Sequence, residues 1–301
     1  MKPLWLGVDA GGTKTHAVII GADDDIEAEA VAGPGNPLAV GDDVALTSMR
    51  TAVIGALRGR EPGAAHFGVA GAGRPSDYGR VQRLVARLGL HCPVTVSDDA
   101  RIAFLANADP PGAILVAGTG AMAVAYDAAG ESRRAGGHGY LLGDEGSGYW
   151  IGVRAVRAAL RAVDGRGPAT ALVDLVLRFF RVESLDDVVS GTYSASVDRS
   201  TLAALAPEVV SLDDDVARAI ANQAVDELMT ALIAVRRHCA TGAGGFPVVL
   251  AGSLLDRGGA LRPLLTRRLG EALSGARDVP AANPPAAGAA RLAREAGASP
   301  H

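Results

Sequence analysis

Three short segments near the N-terminus decide the fold: Leu4-Trp-Leu-Gly-Val-Asp9, Ala10-Gly-Gly-Thr13 and Thr15-His-Ala-Val-Ile-Ile20. Two apolar runs flank a turn of small residues, which predicts a strand, a tight turn and a second strand. Such a turn leaves several backbone N–H groups pointing the same way, with no side chain to keep an anion away. A plain hairpin turn is the alternative, because Gly-Gly-Thr by itself is a weak signal.

The same order of elements restarts in the second half of the chain. Residues 113–117 are apolar, Gly118-Thr119-Gly120 is a turn, and residues 121–126 are apolar again. Further on, Val248-Val-Leu-Ala-Gly-Ser253 opens a helix much as residues 67–73 open one in the first half. We infer an internal duplication that gives two α/β lobes, the alternative being one unduplicated α/β sheet.

The length of the chain also favours two lobes, because single hydrophobic cores stop growing at about 250 to 300 residues. The duplication predicts an N-terminal lobe over residues 1–108 and a C-terminal lobe over residues 109–285. A last helix within residues 286–301 is expected to pack back on the N-terminal lobe.

Composition excludes several classes of protein. The chain has 29 basic and 33 acidic residues and a net charge of −4, which excludes a strongly basic nucleic-acid binder. The uncharged apolar stretch 110–126 is shorter than the roughly 20 residues of a membrane helix. The first apolar run stops at Asp9, so no signal peptide is predicted and we expect a cytoplasmic protein with no membrane partner.

Several side chains near these turns could act on a polyphosphate. The Thr13 hydroxyl could donate to a phosphate oxygen, and Asp9, at a strand end, could hold Mg²⁺ through water. If the two lobes face each other, the turn at 118–120 would hold the same polyphosphate from the other side. Either Asp98 or Asp99, where a strand meets a helix, could accept the proton of an attacking hydroxyl while the other caps the helix.

Glycine dominates the segment Gly136-Gly-His-Gly-Tyr-Leu-Leu-Gly-Asp-Glu-Gly-Ser-Gly148, which predicts an irregular loop. Asp144 and Glu145 stand just ahead of a predicted helix, where carboxylates stabilise the N-terminus. Dense glycine beside two acids is also typical of a pocket that binds hydroxyl groups. His138 has no metal-ligand partner at suitable spacing, so we expect it in the pocket wall or on the surface.

With these segments the chain resembles, nearly end to end, the N-acetylglucosamine kinase and BadF/BadG/BcrA/BcrD ATPase family of the actin, hexokinase and Hsp70 superfamily. The motifs that carry the resemblance are Val8-Asp-Ala-Gly-Gly-Thr-Lys-Thr15, Asp99-Ala100, Ala117-Gly-Thr-Gly120, 136–152 and Ala251-Gly-Ser253. The resemblance implies two ribonuclease-H-like lobes with a nucleotide cleft between them. It implies ATP-dependent phosphorylation of a small-molecule amino sugar, and our hypothesis is that O6 is the acceptor. N-acetylglucosamine is the first candidate, with glucosamine or N-acetylmuramic acid as alternatives.

The resemblance also implies roles for individual residues. Asp99, rather than Asp98, would be the catalytic base, and Asp9 would serve the magnesium ion. The residues that would bind ATP are Gly11, Gly12, Thr13, Lys14, Gly118, Thr119, Gly120, Gly252 and Ser253. The residues that would bind the sugar are Asn36, Asp99, Gly137, His138, Gly139 and Asp144.

Two positions depart from the family pattern. Ala121 stands where the family often has serine, and His138 stands where tryptophan is usual. Compared with the family pattern, the expected site therefore lacks one hydroxyl donor and the indole ring that would form part of its wall. A site that lacks a hydrogen bond can lose discrimination, and an imidazole could suit a more polar or charged sugar.

Two cysteines bear on the alternatives. Cys92 and Cys239 form no CxxC motif, which excludes a thiolate zinc site within one chain. The same family includes ATP-driven activators of acyl-CoA dehydratases, in which two subunits share an iron–sulfur cluster, and two cysteines per chain is the right number for such a dimer. This activator and a non-catalytic sugar sensor are the alternatives of another class, and the sequence is compatible with a homodimer.

Overall fold

The computed structural model describes residues 3–73, 75–237, 239 and 245–298. The described residues divide into two compact units, one within Met1–Asp109 and Ala281–His301, the other within Pro110–Pro280. In chain order the strands are β1 (Trp5–Ala10), β2 (Thr15–Ile20), β3 (Ile26–Ala32), β4 (Ala64–Val69), β5 (Val94–Ser97), β6 (Gly112–Ala117), β7 (Ala121–Tyr126), β8 (Ser132–Gly136), β9 (Phe246–Ala251) and β10 (Ala276–Pro280). The helices are α1 (Pro37–Val40), α2 (Asp42–Leu57), α3 (Pro75–Ala86), α4 (Asp99–Leu105), α5 (Gly148–Val163), α6 (Leu172–Phe180), α7 (Leu185–Tyr193), α8 (Arg199–Ala204), α9 (Ala206–Ser211), α10 (Asp215–Arg236), α11 (Arg262–Ala272) and α12 (Pro285–Ala298).

The first unit contains a five-stranded mixed sheet of order β3-β2-β1-β4-β5. The predicted hairpin is confirmed: β1 and β2 pair antiparallel from Trp5↔Ile20 to Ala10↔Thr15. On the other side of β1, strands β4 and β5 run parallel to it. This arrangement brings the carboxyl ends of three parallel strands to one edge of the sheet.

The sheet of the first unit is covered on both faces. Helix α2 contributes Met49 and Val53 to the core on one face. Helix α12 covers the other face, where Ala286 and Ala290 pack with Val18 and Ile20 of β2. These side chains are buried and apolar, so their removal from water is a main source of the unit's stability.

Two glycines let α12 approach its neighbours backbone to backbone. A Cβ atom at Gly7 of β1 would lie 2.1 Å from the Ala286 carbonyl oxygen and 2.2 Å from the Ala290 nitrogen. A Cβ atom at Gly288 would lie 2.0 Å from the Ile102 carbonyl oxygen of α4. Real Cβ atoms do not reach such distances, so this packing requires glycine at both positions.

The second unit repeats the architecture. Its sheet has the order β10-β9-β6-β7-β8. Strand β6 pairs antiparallel with β7, which pairs antiparallel with β8, whereas β9 and β10 extend the sheet in parallel on the other side of β6. Read from β6, this is the order of the first unit, so the inferred duplication is confirmed.

Helices fill the interval between β8 and β9 and form the larger core of the molecule. Helix α10 contributes the buried residues Leu228 and Leu232 to it, and α5 contributes Ile151. Gly152 on α5 permits a close crossing with α8, since a Cβ atom there would lie 2.0 Å from the Leu202 carbonyl oxygen. Within the described part of the chain, no helix is both long and apolar enough to cross a membrane.

Two buried histidines lie in the first sheet, His16 of β2 and His66 of β4. His66 of β4 is 5% exposed. Burial, and to a lesser extent the positive charge of Arg101, lowers its pKa to about 4. The pKa of histidine in an unfolded chain is about 6.5, so between these two values the unfolded chain binds more protons than the folded protein. This histidine therefore costs stability as the pH falls from about 6.5 towards 4.

We expect a His66→Gln variant to lack this acid sensitivity. The free energy of unfolding of the wild type, relative to that of the variant, should fall as the pH is lowered from about 6.5 to about 4. Urea unfolding of both proteins at several pH values measures the difference. Parallel stability curves across this window would show that the imidazole is not held neutral by its surroundings.

Candidate active site

The turn between β1 and β2 is closed by its own backbone and braced by a neighbouring loop. The Gly11 nitrogen donates to the Lys14 carbonyl oxygen at 3.0 Å. The nitrogens of Gly35 and Asn36 both donate to the Gly11 carbonyl oxygen, at 2.9 and 3.0 Å. Gly12 and Thr13 are exposed at the tip of the turn. A Cβ atom at Gly12 would meet no atom within 4 Å, so the turn leaves open space over its backbone.

Three aspartates stand at the carboxyl edge of the same sheet. Asp9 of β1 is in register with Gly68 of β4, which is in register with Ser97 of β5. Asp98 and Asp99 follow immediately after Ser97. The carboxyl ends of parallel strands are where open α/β sheets present ligand-binding groups.

The structure separates the roles of the two adjacent aspartates. Asp98 is the N-cap of α4, and its Oδ1 accepts a hydrogen bond from the Arg101 backbone nitrogen at 2.9 Å. Asp99 is the first residue of the helix. The capping function that the sequence left open between them therefore belongs to Asp98.

Asp9 and Asp99 interact electrostatically. Burial, followed by the negative charge of Asp99, raises the pKa of Asp9 to about 7, while the positive charge of Lys14 acts in the opposite direction. Two neighbouring carboxylates repel each other when both are ionised, and a cation between or beside them relieves this repulsion. The geometry thus concentrates negative charge next to the exposed glycine turn.

These carboxylates suit a magnesium ion. Mg²⁺ prefers oxygen ligands and is usually held by one or two carboxylates together with water and substrate phosphates. Within residues 3–73, 75–237, 239 and 245–298, no three His, Cys, Asp or Glu side chains gather into a metal cage. Asp9, with Asp99 nearby, could therefore offer carboxylate oxygens to Mg²⁺.

Asn36 lies beside the same turn. It caps α1, and its Oδ1 accepts a hydrogen bond from the Leu38 nitrogen at 2.9 Å. A Cβ atom at Gly71, just beyond the end of β4, would lie 3.7 Å from this oxygen. The side-chain oxygen of Asn36 caps the helix, and its Nδ2 amide can donate hydrogen bonds to a ligand.

The turn at Gly118-Thr119-Gly120 in the second unit is held by two other segments. The Gly118 carbonyl oxygen accepts from the Gly148 nitrogen at 2.7 Å. The Leu254 nitrogen donates to the Ala117 carbonyl oxygen at 3.0 Å, and a Cβ atom at Gly118 would lie 3.8 Å from the Ser253 nitrogen. The structure therefore brings the turn together with Gly252 and Ser253, which are far away in sequence.

The acid of the glycine-rich loop lies against this turn. Asp144 is 4% exposed and has a φ of 60°, a left-handed conformation. Its Oδ2 accepts a hydrogen bond from Nη2 of Arg199 at 3.2 Å. A Cβ atom at Gly120 would lie 2.9 Å from this Oδ2 and 3.0 Å from this Nη2. The ion pair thus packs directly on the backbone of the turn.

Arg199, the partner of Asp144, was not predicted from the sequence. This residue begins α8, and its guanidinium lies 5.4 Å from the centre of the Tyr140 ring. It follows no motif, and only the folded chain brings it to Asp144. A search of the sequence for partners of the acidic loop residue could not have found it.

The remaining loop residues follow the end of β8. Arg134 donates to the carbonyl oxygens of Gly136 and Gly137. A Cβ atom at Gly143 would lie 3.1 Å from the Cβ of His138, whereas one at Gly139 would meet nothing within 4 Å. The predicted irregular loop is confirmed between the end of β8 and the start of α5.

The candidate residues form two groups, one in each unit. Each group surrounds a glycine turn that follows the first strand of a five-stranded mixed sheet, and the two sheets share one strand order. This repeated sheet defines the class of protein: two ribonuclease-H-like units, as in the actin-like ATPases.

The comparisons name the family within that class. The sequence profile of the BadF/BadG/BcrA/BcrD ATPase family matches residues 6–293, and the chain belongs to this family.

Similar proteins include two curated kinases and one crystal structure. The chain is 32% identical over 239 residues to the N-acetylmuramic acid/N-acetylglucosamine kinase of Clostridium acetobutylicum, covering 76% of this chain and 78% of that one. It is 28% identical over 312 aligned positions to the N-acetyl-D-glucosamine kinase of Dictyostelium discoideum, covering 97% and 98%. A structure from Chromobacterium violaceum, provisionally described as an N-acetylglucosamine kinase, superposes with a TM-score of 0.72 at 25% identity, covering 97% and 99%.

Proposed function

We propose that this protein is an ATP-dependent kinase of an amino sugar, which transfers the γ-phosphoryl group of ATP to O6 of the sugar. N-acetylglucosamine is the first candidate, as the names of the relatives suggest. The observation that carries the proposal is the pairing of Asp9 with Asp99 beside the exposed turn of the first unit. The family match supports the use of ATP.

In this proposal Asp99 accepts the proton of the attacking hydroxyl. A carboxylate in this role mainly orients the oxygen towards phosphorus, since phosphoryl transfer depends on positioning and on stabilising charge. Its place at the first position of α4, next to the capping residue Asp98, gives it a fixed backbone. The Nδ2 amide of Asn36 is available to a sugar hydroxyl from the loop that braces the turn.

The ATP phosphates are assigned to the two glycine turns. The backbone N–H groups around Gly12 and Gly118 and the hydroxyls of Thr13 and Thr119 supply donors without bulky side chains. Asp9 would hold Mg²⁺ through water, and the ion would supply positive charge to neutralise the phosphate oxygens. Asp144, which is held in place by its contact with Arg199, is assigned to the sugar hydroxyls.

The alternative of an iron–sulfur activator is disfavoured by the thiols. Cys239 is 3% exposed and belongs to the core of the second unit, whereas Cys92 packs against the core of the first. Burial raises the pKa of both thiols. A four-cysteine cluster shared between two subunits needs both cysteines of each chain as accessible thiolates, and the buried Cys239 is not placed to supply one.

A coupled assay of ADP release tests the proposed function. Purified protein with MgATP is offered glucose, glucosamine, N-acetylglucosamine, N-acetylmuramic acid and mannosamine. We expect the highest kcat/KM with N-acetylglucosamine, and ³¹P-coupled NMR of the product should place the phosphate on O6. Absence of sugar-dependent ADP release with all five sugars would contradict the proposal.

Alanine at Gly12 or Gly118 should weaken ATP binding without unfolding the protein. Neither position has a left-handed φ, and the added Cβ would meet nothing within 4 Å at Gly12 and only ordinary contacts at Gly118. The methyl groups would instead occupy space assigned to phosphate, so we expect KM for ATP to rise about tenfold or more. Steady-state kinetics and thermal melting measure the two effects.

The matched control is Gly270→Ala on α11, where the new methyl group also meets nothing within 4 Å. This variant should keep both its melting temperature and its KM for ATP. If the Gly12 and Gly118 variants bind ATP as well as the control does, the turns do not hold phosphate.

A further inference from the structure

His66 stands at the start of a chain of hydrogen bonds within the first unit. Its Nδ1 lies 2.7 Å from the Thr95 hydroxyl oxygen, and its Nε2 lies 2.9 Å from the Ser97 hydroxyl oxygen. The Ser97 hydroxyl in turn donates to the carbonyl oxygen of Asp98 at 3.0 Å. Thr95 and Ser97 both belong to β5, so the imidazole ties β4 to the end of its neighbour.

The direction of these bonds follows from the count of protons. Ser97 has one hydroxyl proton, and it is used on the Asp98 carbonyl oxygen, so its oxygen accepts from His66. His66 therefore carries its proton on Nε2, and its Nδ1 accepts the proton of Thr95. The low pKa of His66, about 4, keeps the ring in this neutral state at the pH of ordinary assays.

The chain ends on the peptide group that leads into Asp99. The carbonyl oxygen that Ser97 contacts belongs to the peptide bond between Asp98 and Asp99. The side chain of Asp98 is held separately, because its Oδ1 accepts a hydrogen bond from the Arg101 backbone nitrogen at the start of α4. Ser97 thus fixes the backbone carbonyl of Asp98, and the Arg101 nitrogen fixes its side chain. Together these two hydrogen bonds set the orientation of the backbone at Asp99.

We infer that His66 is a positioning residue for Asp99. Acting through Ser97, it sets the orientation of the Asp98–Asp99 peptide and so aims the Asp99 carboxylate at the acceptor hydroxyl. The inference rests on the proposed function, in which Asp99 is the base. The hydrogen bonds of His66 and Ser97 would thus orient Asp99 in a way that the glycine turns and the capping bond of Asp98 do not.

Two amide variants of His66 separate this role from simple packing. The amide of glutamine reaches the place of Nε2 and can still donate to Ser97, whereas that of asparagine reaches only the place of Nδ1. We expect His66→Asn and Ser97→Ala to lower kcat about 10- to 100-fold, the usual effect of removing a supporting hydrogen bond. KM for both substrates should change little, and His66→Gln should retain most of the activity.

Two further measurements test the hydrogen bonds of His66 and Ser97 independently of enzymatic activity. The ¹⁵N shifts of the imidazole in the wild type should report the Nε2–H form at pH 7. Amide hydrogen exchange at residues 99–102 should be faster in His66→Asn and Ser97→Ala than in the wild type or His66→Gln. These readouts apply even if the sugar has been identified wrongly.

The possible failures are distinguishable. If His66→Asn and His66→Gln lose equal activity, or if the losses follow the melting temperatures, His66 is a packing residue and the inference is wrong. If both variants are fully active while Asp99→Asn is inactive, the inference again fails and the proposed function stands. If Asp99→Asn is active, the proposed base is wrong and the positioning role falls with it.

Discussion

Asn in place of Asp99 should lower kcat by about 10²- to 10⁴-fold, the range that general bases contribute. The amide keeps the size of the side chain at the first position of α4 but cannot accept the proton of a sugar hydroxyl. ATP should still bind, because the turn residues assigned to its phosphates are unchanged. Single-turnover kinetics and calorimetric titration with a non-hydrolysable ATP analogue measure the two quantities separately.

Asp98→Asn is the matched control, since it changes the same carboxylate to the same amide one residue earlier. Asparagine caps helices about as well as aspartate does, so the bond to the Arg101 nitrogen should survive. We expect this variant to keep both stability and activity. An active Asp99→Asn variant, or an Asp98→Asn variant that is the more damaged of the two, would overturn the assignment of the base.

Alanine in place of Gly288 should destabilise the protein strongly. In an exposed helix the change from glycine to alanine stabilises by about 1 kcal/mol. Here the new Cβ would lie 2.0 Å from the Ile102 carbonyl oxygen and 2.6 Å from the Ala106 nitrogen. Because both atoms are backbone, α12 and α4 must move apart, and we expect a net loss of about 3 kcal/mol or more.

Urea unfolding measures this loss, and Gly270→Ala again provides the comparison. That glycine lies on α11 with open space around it, so its replacement should be neutral or slightly stabilising. Since α4 carries Asp99, kcat of any folded Gly288→Ala protein should also fall. Equal stability of the two variants would show that the close contact of α12 with α4 is not needed.

The sequence predicted the repeated hairpins because they are local. Apolar runs around a glycine turn specify strand, turn and strand within about fifteen residues, and both copies were found. The residues alone did not predict which of Asp98 and Asp99 caps α4, because either aspartate can cap a helix. The fold decides it through the position of the Arg101 nitrogen.

Contacts between segments that are distant in the chain could not be predicted from the sequence. Arg199 and Asp144 meet only because α8 packs near the glycine-rich loop, and no spacing or motif announces the pair. His66 appears in the sequence as an ordinary strand residue. Its role depends on the register of β4 with β5, which places Thr95 and Ser97 beside it.

The return of α12 to the first sheet has a consequence for how the chain is made. Residues 3–73 and 75–109 are synthesised before the second unit, yet the face of β2 that carries Val18 and Ile20 is covered by a helix that is synthesised after that unit. The second unit is continuous in sequence and can complete its core earlier, since domains generally fold as units during synthesis. The second unit is therefore complete before the first. Until α12 has been synthesised, the nascent chain exposes an apolar face of the first sheet.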